Sequence, residues 1–365
     1  MIKQKIVDSF LLFNELDLLE IRLEELYEHV DMFLIVESTK TFTGKLKPLN
    51  YKNNADRFKK WQDKISYFIV DDMPIIVDEE DINNSTKNDS QKTIEFYRER
   101  HHRNSIGRGL KNLNLSFEDI VIVSDIDEIP NPNSFKNLNH NLPYGPVVFK
   151  QKWLVWNTNL EKMHHWMGST VFYYSHYINN NKIFQEIRDM RWDEDSTMFY
   201  TQENGGFHFS WFGDFDFIRQ KLKAFSHTEL VSDFWDSDDN ISNLIGDMYA
   251  SNGIKKDGIT GKLKPFTQDN YDLPKLWYKI KSLEVGSNEP KIYDCFLFDH
   301  ELDMLNLRLH EMNNYVDHFI LIESRNSHTG KDKELFFQKH KDLFSKFSHK
   351  FFRRNSYPSI ALYRF

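Results

Sequence analysis

The chain has 365 residues, 40% of them hydrophobic and 15% aromatic, with a formal net charge of −8. That much apolar surface supports a large folded core, and an acidic balance excludes the clustered cations on which nonspecific nucleic-acid binding depends. A single cysteine, Cys295, allows neither an intrachain disulfide nor a cysteine-based zinc site.

In chain order, the apolar run 10–13 is too short for a signal core or a membrane span, so a cytoplasmic protein without a transmembrane segment is expected. Residues 5–13 read as a strand. Residues 16–30 carry Leu16, Leu19, Leu23, Leu26 and Val30 at helical spacing. The short apolar run 32–36 is of the kind buried in a parallel sheet, completing a βαβ unit. A strand over 65–70, a loop over 83–90, a charged helix over 90–113 and a strand over 120–124 follow. Strands alternating with helices predict an α/β, Rossmann-like sheet.

The chain then repeats its own beginning. Residues 6–45 and 292–331 align without a gap, and roughly half of the positions are identical. Glu15-Leu16-Asp17 returns as Glu301-Leu302-Asp303, Glu37-Ser38 as Glu323-Ser324, and Thr43-Gly44-Lys45 as Thr329-Gly330-Lys331. A period this long means a duplicated domain rather than a solenoid. The expected organisation is a first domain over 1–285, a linker over 286–290, and a truncated or degenerate second copy over 291–365. That copy stops before any counterpart of residues 124–127. Its helix face Leu302, Leu305, Leu309 and Met312 is expected to lack cover, which predicts self-association through this segment.

The strongest chemical signal is Ile120-Val121-Ile122-Val123-Ser124-Asp125-Ile126-Asp127-Glu128. An apolar strand ends there in two aspartates at the carboxyl edge of the sheet, where α/β folds bind ligands. Oxygen ligands of this kind suit Mg²⁺ or Mn²⁺ that keeps positions open for substrate phosphate. The bland alternative is a solvated turn. Glu37 through Thr43 and Lys45 follows the second strand at the same edge, so Lys45 could meet a diphosphate and Glu37 a hydroxyl or base. Glu99 and Arg103 stand four apart and could simply pair. His208 lies in an aromatic strand, where a core role competes with a ligand role. Asp214 suits a helix N-cap and leaves Asp216 in the first turn as a candidate general base. Glu203 and Glu229 are its competitors, His227 is a further metal-ligand option, and Trp153, Trp156, Trp166 and Trp211 could stack on sugars.

Taken together, residues 13–23, 36–45, 124–130 and 205–211 resemble glycosyltransferase family 17, the β-1,4-mannosyl-glycoprotein 4-β-N-acetylglucosaminyltransferase family. The resemblance spans most of 5–280 and returns over 291–350. It implies an inverting, metal-dependent enzyme of GT-A fold using UDP-N-acetylglucosamine and a glycan acceptor. It also implies donor binding by Glu37, Thr43, Lys45, Arg103, Asp125 and His208, metal binding by Asp125 and Asp127, and catalysis by Asp216 or Glu203. The N-terminal anchor of the family's Golgi members has no counterpart in this sequence, and Phe207 stands where the family has Trp. Another nucleotide sugar or acceptor, or a silent sugar-binding module, is the rival reading.

Overall fold

A computed structural model describes residues 4–86, 91–138, 142–162, 164–180, 184–192, 199–228, 237–241, 243, 263–266, 272–284, 292–313, 315–316, 318–326, 329, 331–351 and 360–362. It separates into two compact units, Met1–Ser287 and Asn288–Phe365. None of the described helices is long and apolar enough to cross a membrane.

The first unit is built on one mixed sheet. Its parallel part contains β1 (Ile6–Leu12), β2 (Met32–Ser38), β3 (Ile65–Val70) and β4 (Ile120–Asp125) in the order β4-β1-β2-β3. Phe10, Phe33, Leu34, Ile35, Val36 and Val121 are completely buried, as the continuous apolar runs require of strands covered on both faces. Helix α1 (Leu16–Leu26) crosses from β1 to β2 and buries Leu19, Ile21, Leu23 and Leu26. The charged segment expected as one helix is two, Ile94–Asn104 and Ile106–Lys111, with Ser105 between them. The expected loop at 83–90 differs too, since Glu79–Asn84 is helical and 87–90 lie outside the described residues.

The sheet continues through antiparallel strands: β8 (Trp166–Tyr173) beside β4, then β6 (Val147–Val155), β7 (Leu160–Lys162) and β11 (Leu263–Pro265). Strand β9 (Tyr200–Gln202) pairs with β6. A second layer of pairing positions the site. Strand β5 (Glu128–Pro130) runs antiparallel to β10 (Gly206–Ser210), which itself runs parallel to β6. Gly206, at φ +117°, permits this contact, because a β-carbon there would lie 2.1 Å from the Ile129 carbonyl oxygen.

Beneath the site, a buried ion pair secures the β4 turn. Arg22 of α1 donates through Nε and Nη2 to Asp8, through Nη2 to Ser124 Oγ, and through Nη1 to the carbonyls of Asp125 and Glu128 at 3.1 and 2.7 Å. Both Arg22 and Asp8 are fully buried. Their fork joins the first helix to the turn carrying both aspartates.

The second unit contains β12 (Tyr293–Leu297), a helix over Leu302–Met312 and β13 (His318–Ser324), with β12 and β13 parallel. Strand β14 (Ile360–Leu362) lies antiparallel on β13, where the first unit has parallel β3 beside β2. The expectation of an uncovered helix face needs correction. Leu305 and Leu309 are buried, and Leu302 and Met312 pack against the same cluster, which contains Phe319, Phe337, Phe344 and Phe347. What stands open is another face, with Leu297 83%, Met304 64% and Leu307 53% exposed. Their aligned positions in the first unit, Leu11, Leu18 and Ile21, are buried. The expected linker lies outside the described residues.

Candidate active site

A cleft of about 610 Å³ opens where β1, β2 and β4 end. Asp125 closes β4, and Asp127 follows on the turn held by Arg22. The β5–β10 register sets His208 opposite Glu128, and Phe209 N–H donates to the Asp127 carbonyl at 2.9 Å. His208 Nε2 therefore stands 3.5 Å from Asp127 Oδ1. On the other side, His208 is in register with Trp153 of β6, while Gln151 is in register with Trp166 of β8. The two indoles lie 4.6 Å apart at their centroids and both pack on the His208 ring.

Cations surround the aspartates. Arg103, from the helix Ile94–Asn104, donates to Asp125 Oδ1 at 2.9 Å and to Glu99 at 3.0 Å. Arg188, from the helix Phe184–Asp189, reaches Asp125 Oδ2 and both oxygens of the buried Glu128. Lys221, from the helix Phe215–Ala224, bridges Asp127 Oδ2 at 3.0 Å and Glu15 Oε1 at 3.2 Å. Burial alone would raise both carboxyl pKa values. Against it, Arg188 and Arg103 hold Asp125 well below the usual carboxylate range, and Lys221 with His208 does the same for Asp127. Both aspartates are anions at neutral pH. Lys221 is likewise kept protonated against burial by Asp127 and Glu15.

Of the residues singled out in the sequence, the cleft brings together Arg103, Asp125, Asp127 and His208, with His227, Trp153, Trp166 and Trp211 in the wall. It does not bring the others. Glu37 is fully buried behind the edge, where it accepts from Lys47 Nζ, Asn50 N, Tyr51 N and Tyr67 Oη. A carboxylate with four donors anchors the loop and the start of the next helix, leaving no lone pair directed at a ligand. Thr43 Oγ1 donates to the Lys223 carbonyl at 3.1 Å, and Lys45 is exposed outside the cleft wall. Lys40 and Lys47 take the wall positions in that loop.

The two carboxylates expected to act as base also lie elsewhere. Asp216 is 83% exposed and pairs with Arg219 at 2.7 Å, while Asp214 caps the helix by accepting from Phe217 N. Glu203 pairs with Lys150 at 2.7 Å on the surface. Glu229 lies outside the described residues.

Sequence reading missed Arg188, Arg191, Lys221 and Glu15. The signal for the arginines was their spacing of three, which puts two cations on one helical face; Glu15 and Lys221 carried no comparable mark. Two tryptophans, Trp156 and Trp211, adopt φ of 69° and 63° and stack at 6.0 Å. Left-handed backbone at bulky residues is strained, and such strain gathers at functional sites.

Among the described residues no group of three or more His, Cys, Asp or Glu side chains converges on one point. Asp127 Oδ1 and His208 Nε2 do converge, with Ser210 Oγ 3.2 Å from the same nitrogen, while the other ring nitrogen, Nδ1, is buried without a hydrogen-bond partner. A carboxylate oxygen with one imidazole suits Mn²⁺ sooner than Mg²⁺, whose shell is all oxygen, and either ion fills its remaining positions with water and substrate phosphate. Asp125, expected to share the ion, has an oxygen committed to each of two guanidiniums.

A family model described as "Glycosyltransferase family 17" matches residues 1–249 and 258–361. No curated protein matches the chain. Among solved structures, a 4-diphosphocytidyl-2C-methyl-D-erythritol synthase is similar at 10% identity and a TM-score of 0.32, over 55% of this chain and 90% of that one. The apo-form glycosyltransferase GlyE in Streptococcus pneumoniae TIGR4 is similar at 9% identity and a TM-score of 0.29, over 89% of this chain and 75% of that one.

Proposed function

Since the chain belongs to glycosyltransferase family 17 and is a glycosyltransferase, we propose that the cleft of its first unit transfers N-acetylglucosamine from UDP-N-acetylglucosamine to a glycan hydroxyl with inversion. The observation that carries this reading is the ring of Arg103, Arg188 and Lys221 around Asp125 and Asp127 at the end of β4. Fixed cations in a buried site stabilise charge developing on a diphosphate leaving group without reorganising during the reaction. Asp127 and His208 would hold Mn²⁺ or Mg²⁺, which supplies Lewis-acid stabilisation of the same charge when bound. Trp153 and Trp166 offer apolar faces to the sugar rings, with their N–H groups tied to Ser210 Oγ and Glu128 Oε1.

Direct displacement also needs an acceptor for the hydroxyl proton. Asp125, Asp127 and Glu15 are paired with cations, and Glu99 is held by Arg103 and Ser226. Asp189 of the cleft wall is exposed and accepts from the neutral amide of Gln185, so we assign it the general-base role expected of Asp216. Release of UDP from UDP-N-acetylglucosamine with Mn²⁺ tests the reading. Asp127→Asn is expected to lower that release by at least about 100-fold with the fold intact, because metal-site changes cost on that scale or more. A fully active Asp127→Asn enzyme, insensitive to chelator, would overturn the metal assignment.

A further inference from the structure

One cation of the cleft stands where it competes with a divalent ion. Lys221 Nζ sits 3.0 Å from Asp127 Oδ2, while His208 approaches the other oxygen of the same carboxylate. The lysine is only 16% exposed and is anchored from behind by Glu15 Oε1 at 3.2 Å. Glu15 is anchored in turn, its Oε2 accepting from Phe13 and Asn14 N–H. Lys221 is thus shared between two buried carboxylates, Asp127 and Glu15.

We propose that Lys221 is a resident cation that holds divalent metal off Asp127 in the free protein and transfers its attraction to the donor's diphosphate, so that metal and nucleotide bind cooperatively. The inference rests on the transferase reading above. Its physical basis is charge. Before a divalent ion enters, one oxygen of Asp127 already faces the Lys221 ammonium and the other faces His208. An incoming metal meets an already neutralised Asp127 and a like charge held beside it, and in a partly desolvated site that repulsion is weakly screened. A diphosphate reverses the balance. It gives Lys221 a second anion and supplies the metal with oxygen ligands that the protein does not. By linkage, whatever factor the nucleotide adds to metal affinity the metal adds to nucleotide affinity.

The test is Mn²⁺ binding, followed by electron paramagnetic resonance of the free ion, with and without UDP. In the unaltered protein UDP should tighten Mn²⁺ binding by about tenfold or more, within the ~5- to 150-fold range common for coupled sites. Lys221→Gln, which keeps a hydrogen-bond donor but no charge, should bind Mn²⁺ alone about tenfold more tightly and lose most of the UDP effect. Lys221→Arg should behave as the unaltered protein. Glu15→Gln gives an independent check that does not remove the lysine: by leaving Lys221 to Asp127 alone, it should weaken Mn²⁺ binding. Equal Mn²⁺ isotherms for the unaltered protein and Lys221→Gln would overturn the proposal, as would an unchanged UDP effect in that variant. If Lys221→Gln does not fold, unchanged or tighter Mn²⁺ binding by Glu15→Gln overturns it instead. Failure of UDP to bind under any condition would instead remove the transferase reading, while the metal-only isotherms still decide the role of Lys221.

Discussion

Replacing Arg22 with methionine removes a cation that no solvent can substitute. Its fork satisfies both oxygens of Asp8, the Ser124 hydroxyl and the carbonyls of the Asp125–Glu128 turn, all without exposure of the guanidinium or of Asp8. Breaking such a pair from one side leaves an uncompensated buried carboxylate, worth ~3–5 kcal/mol. The repeated segment contains a built-in control. Arg308 pairs with Asp294 as Arg22 does with Asp8, yet its side chain is 46% exposed, so Arg308→Met should cost below ~1 kcal/mol. All eight tryptophans lie at or before Trp277, so tryptophan fluorescence in urea follows the first unit alone. With a slope of about 3 kcal/mol/M, Arg22→Met should move that midpoint down by roughly 1 M or more. Hydrogen exchange over 293–324 reads Arg308→Met. The double change Asp8→Val/Arg22→Met should recover part of the loss, since removing both charges removes the stranded one. An Arg22→Met midpoint within about 0.3 M of the unaltered protein, or equal costs at Arg22 and Arg308, would refute the reasoning.

Acid stability supplies a second test. Burial, reinforced by Lys47 and Arg103, pushes the His102 imidazole down to about 3 from 6.5, so the folded protein keeps it neutral while the unfolded chain protonates it. Stability should therefore fall as pH drops from about 6.5 to 5, by up to ~1.4 kcal/mol per pH unit from this group, and His102→Gln should flatten that segment. Burial also lowers His29 and His165, and nearer pH 4 the depressed carboxyls of Asp125 and Asp127 add losses of the same sign, so the contribution of His102 is read as the difference between the unaltered protein and His102→Gln. A third expectation concerns residues 288–365. Among the described residues every one that lines the cleft belongs to the first unit, so a chain ending at Ser287 should retain UDP release. Sedimentation should show less self-association once the face with Leu297, Met304 and Leu307 is gone, and lost activity in a well-folded 1–287 chain would place part of the site in the second unit.

The parallel core was legible because it is made of continuous apolar runs, and the strand 120–124 announced both its burial and the aspartates at its end. Side-chain direction was not legible. Helical period showed that Asp216 begins the helix Phe215–Ala224, but period does not say which face meets the cleft; five residues on, more than a third of a turn away around the axis, Lys221 does. Arg188 reaches Asp125 across 63 positions of sequence, and only the folded sheet brings the two together.

Glu37 belongs to what the two repeated segments share. It returns as Glu323, which accepts from Phe336 N and Phe337 N as Glu37 accepts from Asn50 N and Tyr51 N. Asp8 with Arg22 and Asp294 with Arg308 repeat in the same way, as do the backbone bonds accepted by Glu15 and by Glu301. Contacts made in the same way by both segments are explained by what both need, which is a βαβ unit with its loops tied down. Arg103, Asp127, Arg188, His208 and Lys221, by contrast, lie outside the repeated stretch, and those are the side chains that meet in the cleft. Repetition within this chain therefore marks mostly scaffold, and Glu15, which is repeated as Glu301 yet also holds Lys221 in the cleft, is both.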